Sequence, residues 1–346
     1  MPDAHSDESP HDYPGWFEQF IDDRQVRKLS PHSLKAYRQD FAAIAALIAG
    51  HTEELAINDI TKSSVRTAFA MYARDHSPAS IRRCWSTWNV LCTFLFTAEL
   101  LESNPMALVG RPKLPKTLPK ALPGSAVEAL LGAIVDPDIE RRVTDWPERD
   151  LAIVLTGLLA GLRAEELRGS DVGDIRTNTD GSGVIYVRGK GGKHRHVPVE
   201  SSYLDAVRVY LETRALRNPL QHKKKANPDP LTWWAASAPL FVGRDGARIS
   251  RGTLQSRIAR AFKLAGSDAQ PIAGALVHGL RHTFATELAN ADVNIYTLMK
   301  LLGHESMTTS QRYVAAAGSE SRSAAATNPL YRFAESATDP SRPPGL

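Results

Sequence analysis

The sequence of 346 residues has very little cysteine and no long apolar run. Its two cysteines, Cys84 and Cys92, lie eight positions apart, which on one helix is about 12 Å along the axis, too far for a disulfide. We expect both thiols to be reduced. No stretch approaches the roughly 20 apolar residues of a membrane helix, and the N-terminus, MPDAHSDESPHDYPG, is acidic where a secretion signal would be basic and then apolar. These absences predict a cytosolic protein.

A large charge imbalance is also missing. The formal net charge is +4, and the hydrophobic and charged shares are 42% and 23%, as in ordinary globular proteins. The length allows two domains. A weak basic excess permits a nucleic-acid partner without demonstrating one, so the function has to be argued from where the charged residues lie.

Helical patterns dominate the first third of the chain. Residues 1–12 carry four acidic side chains and neither Lys nor Arg, and they are predicted to be a disordered tail. Amphipathic segments follow one another over residues 13–105, and two of them begin with a Ser-Pro pair, which is typical of a helix start. The pattern predicts an N-terminal bundle of about four helices.

Residues 106–123 contain no acidic side chain. Five prolines lie in or beside this stretch and exclude a helix or a central strand. The basic residues are Arg111, Lys113, Lys116 and Lys120. A stiff solvated linker would account for the prolines alone, whereas the one-sided charge favours a linker that lies against an anion such as a phosphate backbone.

Residues 124–316 are predicted to form a second domain, helical with a small sheet. The stretches GVIYVR and HRHVPV are typical of two short strands, and the glycine-rich turn GKGGK joins them. Residues 217–237 are polar, basic and interrupted by proline, which predicts an inserted surface loop. Residues 317–346 are interpreted as a C-terminal tail. The predicted fold class is therefore mainly α with a small β-sheet.

Four separated islands of the second domain carry polar groups that local packing does not require. The islands are Arg163 with Glu166, Lys190, His278 with Arg281 and His282, and His304 with Tyr313. His278 and Arg281 are three apart and share one face of a helix. His278 and His282 have the spacing of a zinc motif, but its glutamate is missing and Arg281 would repel a dication, so we expect neither a metal nor a cofactor.

The islands combine guanidiniums, an ammonium, imidazoles and a phenol with hardly any carboxylate. Such a set suits a substrate that gains negative charge, as a phosphodiester does in phosphoryl transfer. A Tyr313 phenolate that attacks phosphorus would store the bond as a phosphotyrosyl link. Lys190, on a hairpin tip, is a plausible general acid for the leaving 5′ oxygen.

These motifs resemble those of the tyrosine recombinases, especially Xer-like and phage-type integrases that have no arm-binding domain. The phrases TGLLAGLRAEEL, VRGKGGKHRHVPV, HGLRHTFATELA and LLGHESMTTSQRY carry the resemblance, which covers residues 13–314. It implies a SAM-like, core-binding helical domain and an α+β catalytic domain that form a C-shaped clamp on DNA. It also implies site-specific recombination through a 3′-phosphotyrosyl intermediate, without metal or ATP, by a homo-tetramer or hetero-tetramer on double-stranded DNA.

The resemblance also implies roles for individual residues. Tyr313 matches the nucleophile, Arg163 and Arg281 match the arginines that clamp the scissile phosphate, and Lys190 matches the general acid.

His278 and His304 would donate hydrogen bonds or shuttle protons to the phosphate, and Glu166 would hold the geometry of the site. We interpret His282 as a histidine that either supports the residues contacting the phosphate or has a structural role. The tail is expected to dock on a neighbouring protomer, as such segments do in this family.

Clustered basic side chains are the candidates for DNA contacts, although a basic helix face is often only solvated. The candidates are Lys35, Arg38, Arg82, Arg83, Arg111, Lys113, Lys193, Arg195, Arg251, Arg257 and Arg260.

Three other functions remain open on the sequence: a monomeric type IB topoisomerase-like enzyme, a non-catalytic DNA-binding regulator, and a metal hydrolase. Among recombinases, chromosome-dimer resolution, plasmid resolution and mobile-element integration or excision also stay open. The predicted insertion at residues 217–237 favours a mobile element, because it departs from the compact Xer-like plan.

Overall fold

The computed structural model describes residues 13–50, 55–113, 121–136, 138–140, 145–189, 192–219, 228–270 and 276–304, together with Met307, Ser310, Gln311 and Tyr313. They form two compact units that divide between positions 117 and 118. We call these the N-terminal unit and the C-terminal unit. Both are mainly helical, and the described residues contain one small sheet. The predicted fold class, mainly α with a small β-sheet, is confirmed.

Four α-helices build the N-terminal unit. They are α1 (Gly15–Val26), α2 (Pro31–Ala49), α3 (Lys62–Asp75) and α4 (Pro78–Thr97). Ser30 and Ser77 cap α2 and α4, each accepting a hydrogen bond from the backbone N–H three residues on. A proline follows each cap at the first helical position, where its missing N–H costs nothing. The Ser-Pro pairs therefore predicted both helix starts correctly.

Aromatic rings fill the core of the N-terminal unit. Phe17 of α1 stacks on Phe41 of α2 at 3.8 Å between ring centroids, and Phe41 stacks in turn on the buried Trp88 of α4. Large rings bury much apolar area at little conformational cost. Cys84 and Cys92 are also buried and are not joined in a disulfide.

The beginning of the predicted linker packs as part of the N-terminal unit. A 3₁₀ turn, Pro105–Leu108, follows α4. Met106 and Val109 are 1% and 8% exposed within the N-terminal core. Their apolar side chains are stabilised by burial, so the extended basic stretch is shorter than the sequence suggested. Residues 114–120 lie outside the described part of the chain.

Seven α-helices belong to the described part of the C-terminal unit. They are α5 (Gly124–Val135), α6 (Pro147–Ala160), α7 (Ala164–Gly169), α8 (Ser201–Arg217), α9 (Arg251–Ala265), α10 (Leu276–Asn290) and α11 (Ile295–Leu302). Short 3₁₀ turns span Val172–Asp174, Pro230–Thr232 and Gly266–Asp268.

The sheet is antiparallel in the order β1 (Ile175–Thr177), β2 (Gly183–Arg188), β3 (His194–Val199). Its strands β2 and β3 have the bounds that the sequence predicted. Alternate side chains face the core, among them Ile185, Val187, Val197 and Val199. Pairing of Arg188 with His194 closes the hairpin. Lys190 and Gly191 at its turn are outside the described residues.

Close packing of α6 against α10 prepares the site. A Cβ at Gly157 would come within 2.8 Å of the Leu280 side chain, and one at Gly161 within 2.3 Å of Phe284. Gly161 also has φ +59, a left-handed conformation that favours glycine. These two glycines let α10 lie directly on α6 and bring its polar residues to the C-terminal end of α6.

The expectation of an inserted surface loop at residues 217–237 is wrong for Arg217, which ends α8, and for Trp234, whereas residues 235–237 are exposed. Trp234 is 5% exposed in the C-terminal core, and the Arg214 guanidinium lies 3.8 Å from its ring centroid. The polar composition of this segment predicted exposure, but the packing of an aromatic ring outweighs that composition. Residues 220–227 are outside the described part, and so are residues 1–12 and the tail predicted at 317–346. Among the described helices, none has both the length and the apolar character to cross a membrane.

Candidate active site

Arg163 starts the site at the turn between α6 and α7. Its backbone N–H donates to Glu166 Oε2 at 2.8 Å, and its Nη1 donates to Glu166 Oε1 at 2.7 Å. Nη2 donates to the Gly303 carbonyl at 3.2 Å. The Arg163 side chain remains 43% exposed, so its guanidinium is anchored on one edge and open on the other.

The Glu166 carboxylate lies near arginine side chains from three parts of the C-terminal unit: the turn before α7, strand β3 and helix α10. Besides Arg163, Arg195 of β3 binds it with two parallel hydrogen bonds of 2.8 and 2.7 Å, a geometry that gives strong charge-assisted bonds. Arg281 Nη1 lies 4.0 Å from Glu166 Oε2. Burial opposes ionisation of this carboxyl, but the hydrogen bonds from Arg195 and Arg163 outweigh it and lower its pKa to about 2.

Arg195 connects the sheet to α11. Its Nε donates to the Leu301 carbonyl at 2.8 Å, and its side chain is 8% exposed. The sequence offered Arg195 as a contact to a DNA phosphate. These contacts instead favour a role in holding Glu166 and the end of α11 together.

Arg281 of α10 is the most deeply buried cation of the site, at 1% exposed. Its Nη1 donates to the Gly161 carbonyl and its Nη2 to the Leu302 carbonyl, both at 2.5 Å. Burial, followed by the charge of Arg163, lowers the pKa of its guanidinium to about 10. Arg281 therefore stays positive at neutral pH.

His304 follows α11, which ends at Gly303 in a left-handed conformation. Its Nε2 lies 3.2 Å from Arg281 Nη2, and its Nδ1 lies 2.8 Å from Ser310 Oγ. A guanidinium can only donate, so Nε2 accepts and Nδ1 carries the proton. Burial, and then the charge of Arg281, lower the pKa of His304 to about 4, which makes the ring neutral at pH 7.

Tyr313 lies against two histidines. Its hydroxyl is 2.6 Å from His282 Nδ1, and its ring is roughly parallel to that of His304 at 6.3 Å between centroids. Tyr313 is 3% exposed and packs with the apolar residues Phe284 and Leu298. The phenol is thus held in place by both packing and hydrogen bonding.

His278 completes the described site on the exposed side of α10. It lies one turn from His282, with 4.1 Å between ring centroids. The structure therefore brings six of the predicted residues into the C-terminal unit's polar centre. They are Arg163, Glu166, His278, Arg281, His304 and Tyr313. The seventh, Lys190, is not among the described residues.

Sequence reasoning underrated two contributors, Arg195 and His282. Arg195 was assigned to DNA because it follows the basic hairpin turn, and its partner Glu166 is 29 positions away. His282 had a usable signal, since it is four residues from His278, but that spacing was considered only for a metal. Across the described ranges, no group of three or more His, Cys, Asp or Glu side chains is arranged to hold a metal ion.

Several other candidates for DNA contacts already have partners within the protein. Arg257 donates to both Asp150 and Asp145, and Arg260 binds Asp145 with 3.0 Å bonds from Nε. Their side chains are 12% and 19% exposed. These contacts favour a structural role, packing α9 against the start of α6, over direct contact with phosphate.

In the N-terminal unit, Arg38 pairs with Glu18 and Arg83 with Asp40. The Arg111 guanidinium lies 5.7 Å from the ring centroid of Trp85. Other candidates lie on exposed surface: Lys35, Lys113, Lys193 and Arg251. Arg82 is half-buried.

Comparison with known proteins agrees with the fold and the motifs. The phage integrase family matches residues 122–320, and the phage integrase N-terminal SAM-like domain matches residues 17–99. Tyrosine recombinase XerC of Myxococcus xanthus is 32% identical over 285 residues, covering 82% of this chain and 87% of the relative. Tyrosine recombinase XerD of Proteus mirabilis is 31% identical over 299 residues, covering 86% and 87%.

Solved structures share the fold at lower identity. XerH bound to a palindromic difH substrate superposes with a TM-score of 0.67 at 19% identity, covering 90% of this chain and 83% of the other. A lambda integrase dimer bound to a COC′ core site gives 0.61 at 18% identity, covering 86% and 76%.

The chain belongs to the phage integrase family, the tyrosine recombinases. The family predicted from the motifs is confirmed, and with it a site-specific recombinase, an enzyme that cleaves and rejoins DNA strands.

Proposed function

We propose that Tyr313 attacks a phosphodiester at a recombination site, forms a 3′-phosphotyrosyl bond and releases a 5′-hydroxyl that later reverses the reaction. The observation that carries this proposal is the 2.6 Å hydrogen bond between the Tyr313 hydroxyl and His282 of α10, the helix that also supplies Arg281 to the cluster of arginines around Glu166. A phenol is a weak nucleophile at neutral pH because its ordinary pKa is about 10. Positive surroundings favour the phenolate, and a base within reach can take the phenolic proton.

The arginine cluster supplies the electrostatics. Among the described residues, the guanidiniums of Arg163, Arg195 and Arg281 surround one carboxylate, that of Glu166, which leaves two positive charges uncompensated. Such a preorganised field stabilises the extra negative charge that a phosphodiester develops in its transition state. Arg163, with its open edge, would contact a phosphate oxygen directly. The buried Arg281 would stabilise the negative charge on the phosphate electrostatically.

The remaining groups handle protons and hydrogen bonds. His278, on the exposed side of α10, would donate to a non-bridging phosphate oxygen. His304 would orient Arg281 through the 3.2 Å bond between them. Lys190, carried by the hairpin between β2 and β3, would protonate the leaving 5′ oxygen. No cofactor is required for this chemistry.

The partner is double-stranded DNA bearing two recombination sites, held by a homo-tetramer or by a hetero-tetramer with a related recombinase. The similar structures support this, since they include a XerH complex with difH and a lambda integrase tetramer bound to a Holliday junction. Exposed basic residues such as Lys35, Lys113 and Arg251 would contact phosphates and position the duplex. The tail after residue 316 would dock on a neighbouring protomer.

The direct test is covalent capture on DNA. A duplex selected from a random library by binding to the wild-type protein is nicked next to the cleavage point, so that rejoining is prevented. Wild type should give a protein–DNA adduct that survives denaturing gels, and Tyr313→Phe should give none while binding equally well.

Tyr296→Phe is the matched control, because Tyr296 is a 66% exposed tyrosine of the same unit and its change should leave the adduct intact. An adduct that persists in Tyr313→Phe would disprove the assignment. Relaxation of any plasmid without recombinant products would instead indicate a topoisomerase-like enzyme.

A further inference from the structure

We propose that His282 is a catalytic residue that accepts the phenolic proton of Tyr313 during strand cleavage and returns it during rejoining. This inference rests on the proposed function, in which Tyr313 is the nucleophile. It assigns the proton acceptor that an attacking phenol requires.

The contact between the two side chains has the geometry of a nucleophile with its base. Tyr313 Oη and His282 Nδ1 are 2.6 Å apart, with 5.5 Å between the ring centroids. Tyr313 is 3% exposed, so bulk water has little access to its hydroxyl. With its proton on Nε2, His282 offers the phenolic proton an acceptor within hydrogen-bond distance before any substrate arrives.

The other polar groups nearby are less suited to take this proton. Arg281 has no acceptor atom. His304 already uses Nε2 toward Arg281 and Nδ1 toward Ser310. His278 lies beside His282, with 4.1 Å between ring centroids, on the exposed side of the helix.

The helix itself separates the cation from the base. Consecutive residues of an α-helix point about 100° apart, so Arg281 and His282 cannot face the same way. Arg281 reaches the carbonyls of Gly161 and Leu302, whereas His282 reaches Tyr313. Arg281 therefore joins the arginine cluster around Glu166, while His282, on a different side of the same helix, lies against Tyr313.

The protonation state agrees with this role. Burial, and then the charges of His278 and Arg281, lower the pKa of His282 to about 4, so the ring is neutral at pH 7 and one of its two nitrogens carries no proton. The proposal requires that this nitrogen be Nδ1. The groups that face it are His278 and Arg281 of α10 and Tyr313. A base this weak takes the proton only as the oxygen–phosphorus bond forms, when the phenol becomes far more acidic.

In the proposed step, each bond that forms is matched by one that breaks, and each proton has a donor and an acceptor. The O–H bond of Tyr313 breaks and an N–H bond forms at His282 Nδ1, while the phenolic oxygen bonds to phosphorus. The bond from phosphorus to the 5′ oxygen breaks, and that oxygen takes its proton from the general acid. Rejoining runs the same transfers backwards, with His282 protonating the departing phenol.

The experiment compares two substrates in single-turnover cleavage by the full-length protein. One is the selected duplex with an ordinary 5′ oxygen at the cleaved bond, and the other has a bridging 5′ sulfur, which leaves without protonation. His282→Asn keeps a hydrogen-bond acceptor near the place of Nδ1 but is not basic. The matched control is His196→Asn, an exposed histidine of β3, which should cleave as wild type does.

We expect His282→Asn to bind DNA and to melt as wild type does, and to cleave about 10²- to 10⁴-fold more slowly, the usual size of general-base effects. The loss should persist on the sulfur substrate, because the fault lies with the nucleophile and not with the leaving group. The rate of the variant should rise with pH between about 6 and 9, as the phenol must ionise unaided, while the wild-type rate stays flat.

Cleavage by His282→Asn at the wild-type rate, or full rescue by the sulfur substrate, would overturn the proposal. A second measurement does not depend on how the variant folds: ¹⁵N NMR of the wild type should find Nδ1 of His282 unprotonated at pH 7, and a protonated Nδ1 would also overturn it. If wild type forms no Tyr313 adduct, the proposed function fails and this inference fails with it.

Discussion

Asp40 of the N-terminal unit and Glu166 of the C-terminal unit are both buried among donors, and the two arrangements differ in charge. Asp40 of α2 is 1% exposed and accepts hydrogen bonds from Arg83 and Thr87, each at 2.9 Å, and from Cys84 at 3.1 Å. Only one of these donors is charged. The Asp40 network is therefore neutral, and it joins α2 to α4.

Glu166 of the C-terminal unit is buried in a similar way but is met by Arg163, Arg195 and Arg281. Buried like charges are costly unless they are compensated. The Asp40 network has no such surplus, whereas a site for an anionic transition state needs one. The comparison teaches that net charge, more than burial, separates the functional carboxylate from the structural one.

The largest expected effect comes from removing the carboxylate that the described arginines of the cluster share. Glu166→Gln keeps the shape but leaves three guanidiniums without a counter-charge, so we expect the free energy of unfolding of the C-terminal unit to fall by about 3–5 kcal/mol. Urea unfolding followed by hydrogen exchange in α6 and α10 measures it. Glu165→Gln, which changes a 59% exposed neighbour, should stay within about 0.5 kcal/mol. Equal losses from both variants would contradict the charge argument.

A rate effect should follow from replacing the buried arginine. Arg281→Lys keeps the charge but loses the planar fork that bonds two carbonyls and His304. We expect adduct formation to slow by about 10²- to 10³-fold.

Arg149→Lys is the control for this replacement, because Arg149 is 2% exposed but contacts Asp150 and the Val242 carbonyl. This change should lower stability without slowing cleavage by the folded protein. If Arg281→Lys cleaves at the wild-type rate, charge alone suffices and the fork is dispensable.

Lowering the pH should reduce the free energy of unfolding of the C-terminal unit through three of its titratable groups. The folded pKa of Glu166 is depressed from 4.5 to about 2, so its stabilisation is complete above pH 4.5 and is lost as the pH falls toward 2, about 3 kcal/mol in all. His282 and His304 act in the same direction from pH 6.5 down to about 4, because their folded pKa values are also depressed and the unfolded chain binds protons first.

Urea unfolding at a series of pH values, read by hydrogen exchange in each unit, measures this loss. Glu166→Gln should lack the part below pH 4.5, and a wild-type C-terminal unit equally stable at pH 7 and pH 4 would contradict the prediction.

The smallest expected effect is that of the neutral network. Asp40→Asn leaves Arg83 unpaired, but the Arg83 side chain is 59% exposed and can be solvated. We expect a loss of about 1–3 kcal/mol in the N-terminal unit and no change in the rate of adduct formation by bound protein. Glu18→Gln, at the more exposed pair with Arg38, should cost less than about 1 kcal/mol. A cleavage defect in Asp40→Asn would contradict the purely structural role that we assign to the Asp40 network.

Local features of the sequence predicted much of this molecule. The Ser-Pro pairs at Ser30 and Ser77 predicted two helix starts, because a capping hydroxyl and a following proline act within one turn. The strands GVIYVR and HRHVPV were predicted to the residue, since alternation and a glycine-rich turn are also local. Helix α8 was overlooked although its buried residues recur at helical spacing. The burial of Trp234 was missed because only distant packing partners reveal that a polar stretch contains a core residue.

The sequence by itself determined the family, the two helical units and the types of residue that carry the chemistry, because motif spacing and helix capping act over a few positions. The tertiary structure decided which charges meet. It directed Arg195 to Glu166 across 29 positions and Arg257 to Asp150 across 107, and it joined His282 to Tyr313. No periodicity encodes such pairings, since a hydrogen bond depends on where two folded elements place their atoms and not on how far apart they stand in the chain.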